Sequence, residues 1–169
     1  SLRKDLHDKG NNAPKNLLEN FRDFILFQES KIIASFISIK TEISTDNINE
    51  FILSKNKILC LPVIDLNTNQ LVFKEYNSKT KLSKGKYGIL EPDNSKKNLI
   101  PDIILTPCLS FDNKGFRLGY GGGYYDKTFS YLKKIKHKFI SIAVAFDDQK
   151  INKLVHDKYD RSEEHTSEL

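Results

Sequence analysis

Phe111-Asp-Asn-Lys-Gly-Phe-Arg-Leu-Gly-Tyr-Gly-Gly-Gly-Tyr-Tyr-Asp126 is the stretch on which the fold turns. Its last ten residues hold Gly119, Gly121, Gly122 and Gly123 between the cation Arg117 and the carboxylate Asp126. Glycine lets the backbone take positive φ and lets a ligand approach the main chain closely, at an entropic cost. Just downstream, Tyr124, Tyr125, Phe129 and Leu132 recur at helical spacing, so the glycines stand where a helix begins. A glycine-rich turn feeding a helix N-terminus aims N–H groups and the positive dipole end at one point, which suits a phosphate. A P-loop is excluded because Tyr124, not Lys, follows Gly123, and a dinucleotide fingerprint is excluded because it needs a third glycine at that same position. The alternative is a tight strand-to-helix turn that holds no ligand.

Working outward, the chain alternates between helical and extended patterns. Leu17, Leu18, Phe21, Phe24, Ile25 and Gln28 share a helical face after Pro14, and Lys31 to Ser38 is a β-rich run. Thr45 is placed to cap a short helix with Ile48, Phe51 and Ile52 on its apolar side. Ile58 to Ile64 reads as a strand, and Asn67-Thr-Asn-Gln70 as a turn into Leu71 to Tyr76, its antiparallel partner. Asn77 to Leu99 is polar and marked by Gly and Pro, and reads as mostly loop. Asp102 to Thr106 and Phe139 to Phe146 are short strands bracketing the glycine run and its helix. This order predicts an α/β fold: a three-layer α/β/α arrangement around a mixed, mainly parallel sheet.

Length and composition agree with one packed domain. The chain has 169 residues, of which 38% are hydrophobic, enough for a single core. No apolar run reaches the length of a bilayer span, and no signal peptide precedes the first charged residues, so a membrane partner is not expected. Cys60 and Cys108 both lie in apolar, strand-like runs and read as free buried thiols, which suits a reducing cytoplasm. His7, His137, His156 and His165 lack ligand spacing, which argues against zinc. The net charge of +5 favours anionic ligands. Its densest cluster, Lys133-Lys134-Ile135-Lys136-His137-Lys138, falls at a helix C-terminus, where the dipole favours cations without any nucleic acid.

Arg117-Leu-Gly-Tyr-Gly-Gly-Gly-Tyr-Tyr-Asp126, preceded by Thr106-Pro-Cys-Leu-Ser-Phe-Asp112, resembles the signature of the 5-formyltetrahydrofolate cyclo-ligases, also called 5,10-methenyltetrahydrofolate synthetases. Ser1-Leu-Arg3 resembles that family's basic start, and Phe36-Ile-Ser-Ile-Lys-Thr-Glu-Ile43 its substrate-binding strand end. Leu61-Pro-Val63, Gly88-Ile-Leu-Glu-Pro92 and Ala143-Val-Ala-Phe146 resemble further segments, so the likeness runs through nearly the whole chain to Asp160.

The resemblance implies an ATP-dependent cyclisation of 5-formyltetrahydrofolate to 5,10-methenyltetrahydrofolate, with magnesium, in a family of α/β/α fold. It implies nucleotide contacts from Arg3 and from Arg117, Leu118, Gly119, Tyr120, Gly121, Gly122, Gly123, Tyr124 and Tyr125. Folate contacts would come from Ile37, Glu42 and Tyr120 through Tyr124, and catalytic roles fall to Arg117 and Tyr124. Asp126 and Asp160 would hold magnesium, although Val155 and Tyr159 depart from the family pattern around the second carboxylate. The lysine that accompanies Arg3 in the family would precede Ser1. The expected partner is a small folate, with or without a polyglutamate tail, bound by a cytoplasmic monomer that takes no nucleic acid.

The domain is expected to span residues 1–160, with its native start and final strand missing. Arg161-Ser-Glu-Glu-His-Thr-Ser-Glu-Leu169 back-translates into a common sequencing adapter and reads as a non-native tail. An uncovered sheet edge is then expected beside Asp160. Two other functions remain open: a phosphate- or sugar-phosphate-binding α/β domain without catalysis, and a basic RNA-binding module. The second predicts aromatics interleaved with basic residues on an exposed sheet, whereas here they cluster in predicted core elements and the glycine run.

Overall fold

The computed structural model describes residues 19, 21–22, 29–37, 45–93, 97–107, 110–111, 117–118, 123–145, 153–159 and 164–168. Two units of strand, helix and strand organise it. In the first, β1 (Ile32–Ala34) leads through α1 (Asp46–Ser54) to β2 (Ile58–Asp65). In the second, β7 (Ile103–Pro107) leads through α2 (Tyr124–Lys134) to β10 (Phe139–Ala145). Between them lie β3 (Gln70–Glu75), β4 (Leu82–Lys84), β5 (Leu90–Pro92) and β6 (Asn98–Leu99), and the short pair β8 (Ser110–Phe111) and β9 (Arg117–Leu118) precedes α2. Strands β11 (Lys153–Tyr159) and β12 (Glu164–Glu168) follow β10.

Among the described residues, the main sheet runs β12-β11-β10-β7-β1-β2-β3-β6. Its centre, β10-β7-β1-β2, is parallel, and the outer strands are added antiparallel on both sides. Six of the eight strands therefore share a direction, in line with the mixed, mainly parallel sheet expected. The register is set by alternation, since a one-residue slip would move every side chain to the wrong face. Ile33, Leu59, Ile103, Leu105, Ile142 and Val144 pack with Ile48 and Ile52 of α1, together with Phe21 and Phe36. Their neighbours Ala34, Cys60 and Ile104, with Leu71, Phe73 and Phe139, pack with Phe129 and Leu132 of α2. Among the described residues, α1 and α2 thus pack in different clusters. The two crossovers leave the β1–β7 pair in opposite directions, and crossovers of one hand then place their helices on opposite sides.

Several expectations change in detail. The extended run after Lys31 forms a strand only at Ile32–Ala34. Its start is tied down by Asp102, whose Oδ2 accepts the N–H groups of Lys31 and Ile32 at 3.0 Å each. Thr45 occupies the N-cap position of α1 but makes no side-chain cap bond, and its hydroxyl donates to Phe36 O at 2.6 Å. The segment from Asn77 to Leu99, read as mostly loop, carries the antiparallel β4–β5 hairpin and β6. The edge expected to lie open beyond β11 is paired with the backbone of Glu164–Glu168, from Val155↔Glu168 to Tyr159↔Glu164. Ladder hydrogen bonds come from the main chain, so a polar segment can add a strand where no core face selects its side chains. The expected first helix is described only at Glu19, Phe21, Arg22 and Glu29, all helical; the rest of its apolar face lies outside the described residues.

Candidate functional site

The adjacent parallel strands β1 and β7 are the place where the chain's winding reverses. In open α/β sheets such a switch point leaves a crevice beyond the carboxyl ends of the strands, where ligands bind. Beyond β1, the backbone is held at Phe36, whose carbonyl accepts Thr45 Oγ1 at 2.6 Å and Asn49 Nδ2 at 3.3 Å. Ile37, an expected folate contact, follows that anchor and is half-buried. Glu42, the other expected contact on this side, lies outside the described residues, as do Arg3 and Asp160.

Beyond β7, the chain forms the β8–β9 pair, in which Phe111 lies opposite Arg117 and Ser110 opposite Leu118. Gly119, Tyr120, Gly121 and Gly122 are outside the described residues. Gly123 is the N-cap of α2, at φ 63° and ψ 23° in the left-handed region. No atom lies within 4 Å of where a Cβ would sit, so glycine is required there by backbone conformation and not by crowding. The helix opens with Lys127 N–H donating to Gly123 O at 2.9 Å. Asp126 lies in its first turn, and Lys133 and Lys134 in its last, both arrangements favoured by the helix dipole.

The first turn of α2 is fixed to the sheet. Thr128 is buried, and its hydroxyl donates to Tyr124 O at 2.7 Å while accepting the Leu71 N–H at 2.8 Å. Tyr124 and Tyr125 are partly buried against the core on the α2 side, and Tyr125 meets Phe129 at a ring-centroid distance of 6.0 Å. Thus Gly123, Tyr124, Tyr125 and Asp126 are brought together at one helix end. Arg117 and Leu118 form β9, and the residues that join it to Gly123 lie outside the described residues.

One residue near this end was not among the sequence candidates. The Lys86 ammonium stands 5.9 Å from the centroid of the Tyr124 ring. Its segment reads as loop, and no local pattern links it to the glycine run.

Asp126 is exposed and offers a hard oxygen donor of the kind magnesium takes alongside phosphate oxygens. Among the described residues, no cluster of three or more His, Cys, Asp or Glu side chains is assembled for a metal. Cys60 is a free buried thiol, as expected, and burial first, then the Asp102 and Glu75 carboxylates, push its pKa far above the usual range. It has no nucleophilic role in that state.

The model of the 5-formyltetrahydrofolate cyclo-ligase family matches residues 2–166, nearly the whole chain. The chain belongs to that family. It is 33% identical over 154 residues to the 5-formyltetrahydrofolate cyclo-ligase of Haemophilus influenzae, covering 88% of this chain and 81% of the relative. The enzyme of the same name from Escherichia coli is 31% identical over 134 residues, covering 76% and 72% respectively. Among solved structures, the 5,10-methenyltetrahydrofolate synthetase of Aquifex aeolicus superposes with a TM-score of 0.65 at 30% identity, covering 88% of this chain and 78% of its own. The α/β fold and the family resemblance carried by Arg117–Asp126 therefore agree.

Proposed function

We propose that this chain catalyses the ATP-dependent cyclisation of 5-formyltetrahydrofolate to 5,10-methenyltetrahydrofolate, releasing ADP and phosphate. One observation carries the reading above the others. The family match runs through the glycine-rich segment, whose last glycine, Gly123, is the left-handed N-cap of α2.

The chemical difficulty is that a formamide oxygen leaves poorly. Moving the γ-phosphoryl group onto that oxygen lets it depart as phosphate when folate nitrogen 10 attacks the formyl carbon. Such a transfer needs positioning and charge neutralisation more than a protein nucleophile. Gly119 to Gly123 supply backbone N–H donors for the phosphates, and Arg117 a fixed positive charge. Tyr124 offers its ring face and hydroxyl to both substrates, and its position is held through the bond from Thr128. Arg3 adds a further contact to the nucleotide, while Ile37 and Glu42 line the folate side. Asp126 and Asp160 are the residues to hold magnesium, which when bound neutralises phosphate charge.

The substrate is a folate bearing one or more glutamates, and the enzyme works as a cytoplasmic monomer without nucleic acid. The free thiol of Cys60 suits a reducing compartment, and no described helix is long and apolar enough to cross a membrane. Residues 1–160 form the catalytic domain. The test is absorbance of the methenyl product, with 5-formyltetrahydrofolate, ATP and magnesium supplied together and each omitted in turn. Product that requires both substrates is the expected result. ATP binding without product under any of these conditions would leave only a phosphate-binding domain.

A further inference from the structure

We propose that Asn49 is a positioning residue of this site, which through the Phe36 carbonyl fixes the direction of the Phe36–Ile37 peptide, an inference that rests on the function proposed above. Asn49 closes the first turn of α1, where its N–H donates to Thr45 O at 2.8 Å. Its side chain reaches back to β1, donating from Nδ2 to Phe36 O at 3.3 Å beside the 2.6 Å bond from Thr45 Oγ1. Stability alone does not favour asparagine here. It is a weaker helix former than leucine, it is only 7% exposed on a helix that also buries Ile48 and Ile52, and its Oδ1 is buried with no hydrogen-bond partner. An unmet buried acceptor carries a desolvation cost. Nor does the Phe36 carbonyl depend on Asn49 for a partner, since Thr45 already supplies one. What the amide adds is a second donor on the same oxygen.

One hydrogen bond lets a peptide swing about the shared atom, whereas two that converge from different residues set its plane. The Phe36 side chain is itself held in the α1 core at 4% exposure. The peptide is trans, so its C=O and N–H point in opposite directions. With the carbonyl held against the first turn of α1, the Ile37 N–H faces away from that helix. Ile37 is half-buried beyond the carboxyl end of β1, one of the two strands at the switch point. A wall whose direction is fixed before the substrate arrives loses less freedom when it binds. The amide therefore acts on affinity for the folate, and phosphoryl transfer at the glycine run proceeds without it.

The experiment compares wild type with Asn49→Leu and Asn49→Asp, neither of which can donate to Phe36 O at neutral pH. Leucine is close to asparagine in shape and removes the unmet acceptor, so its Tm is expected at or above wild type. Aspartate buries a charge, and its Tm is expected below wild type. Both are expected to raise KM for 5-formyltetrahydrofolate about three- to tenfold, the size of one neutral hydrogen bond, with kcat and KM for ATP near wild type. An unchanged folate KM in Asn49→Leu overturns the assignment. So does a folate KM that follows Tm across the two variants, or a raised KM for ATP in Asn49→Leu. Calorimetric titration with 5-formyltetrahydrofolate and a non-hydrolysable ATP analogue separates this role from the reaction itself. Folate binding that weakens in Asn49→Leu, without turnover by wild type, sinks the reaction alone. Equal folate binding by the two proteins sinks the role of Asn49 alone, and no folate binding by wild type sinks both.

Discussion

Replacing Thr128 by valine tests how the first turn of α2 is held over the sheet. The hydroxyl is 2% exposed at the residue level and links two elements, accepting Leu71 N–H from β3 at 2.8 Å and donating to Tyr124 O at 2.7 Å. Strand β6 pairs with β3 only at Phe73 and Lys74, so it does not extend to Leu71. Valine keeps the volume and the β-branch but removes the acceptor. The Tyr124 carbonyl retains its helical partner, whereas the buried Leu71 N–H is left unmet at a cost of about 1–3 kcal/mol. The extra methyl returns up to about 0.8 kcal/mol. The net loss is about 1–2 kcal/mol, which for a chain of this size lowers Tm by about 2–8 °C. Thr128→Ser retains the hydroxyl and should recover the hydrogen-bond part of the loss. Calorimetric melts measure the shift, and amide exchange at Leu71 locates it, with faster exchange expected in the valine variant alone. Thr128→Val melting within about 1 °C of wild type, with Leu71 exchange unchanged, would refute the claim that this hydroxyl anchors the helix.

Arg117→Ala should keep the fold while losing about a hundredfold in kcat at saturating ATP, since one charged transition-state contact contributes about 3 kcal/mol; unchanged turnover removes Arg117 from the phosphate site. Gly123→Ala should destabilise the protein by about 1–2 kcal/mol through its left-handed φ of 63° alone, because the space around a new Cβ is open; denaturant titration with no loss would contradict that geometry. Cys60 should make stability fall in alkali. Its folded pKa is raised, so the stability is fully present below the unfolded thiol's pKa of ~8.5 and declines above it by up to about 1.4 kcal/mol per pH unit as the unfolded chain ionises. Urea midpoints between pH 8 and 10 should show this slope, and Cys60→Ala should flatten it; equal slopes in both proteins would count against the buried-thiol account.

Much of this fold is readable in the chain because its signals are local. Tyr124, Tyr125, Phe129 and Leu132 repeat at helical spacing, and α2 follows them from Tyr124 to Lys134. The Asn-rich turn before Gln70 closes the β2–β3 hairpin, with Asn69 at φ 56° and Asn67 N–H bonded to Asp65 Oδ1 at 2.9 Å. The β4–β5 hairpin escapes such reading because Leu82-Ser-Lys84 has no alternating apolar face, and its turn is fixed by main-chain bonds around two glycines. Thr45 shows a different limit. Capping chemistry places it correctly at the helix start, but the bond its hydroxyl makes, to Phe36 O, joins segments that no local rule connects. The proximity of Lys86 to Tyr124 is likewise a meeting of two distant segments, which no spacing rule within either segment encodes.

The opposed winding from β1 and β7 gives the protein two independently adjustable walls. Ile33 and Ala34 are consecutive residues, yet each belongs to a different packed core, one under α1 and the other under α2. Repacking around Ile48 and Ile52 would therefore shift the Phe36–Ile37 wall through its bonds to α1, while the wall entering at Gly123 keeps its own support from Phe129 and Leu132. Under the function proposed above, substitutions on the α1 side would change the folate side of the site and leave the nucleotide side as it is. The two strands at the centre act as a common hinge post, and each side of the doorway hangs from it separately.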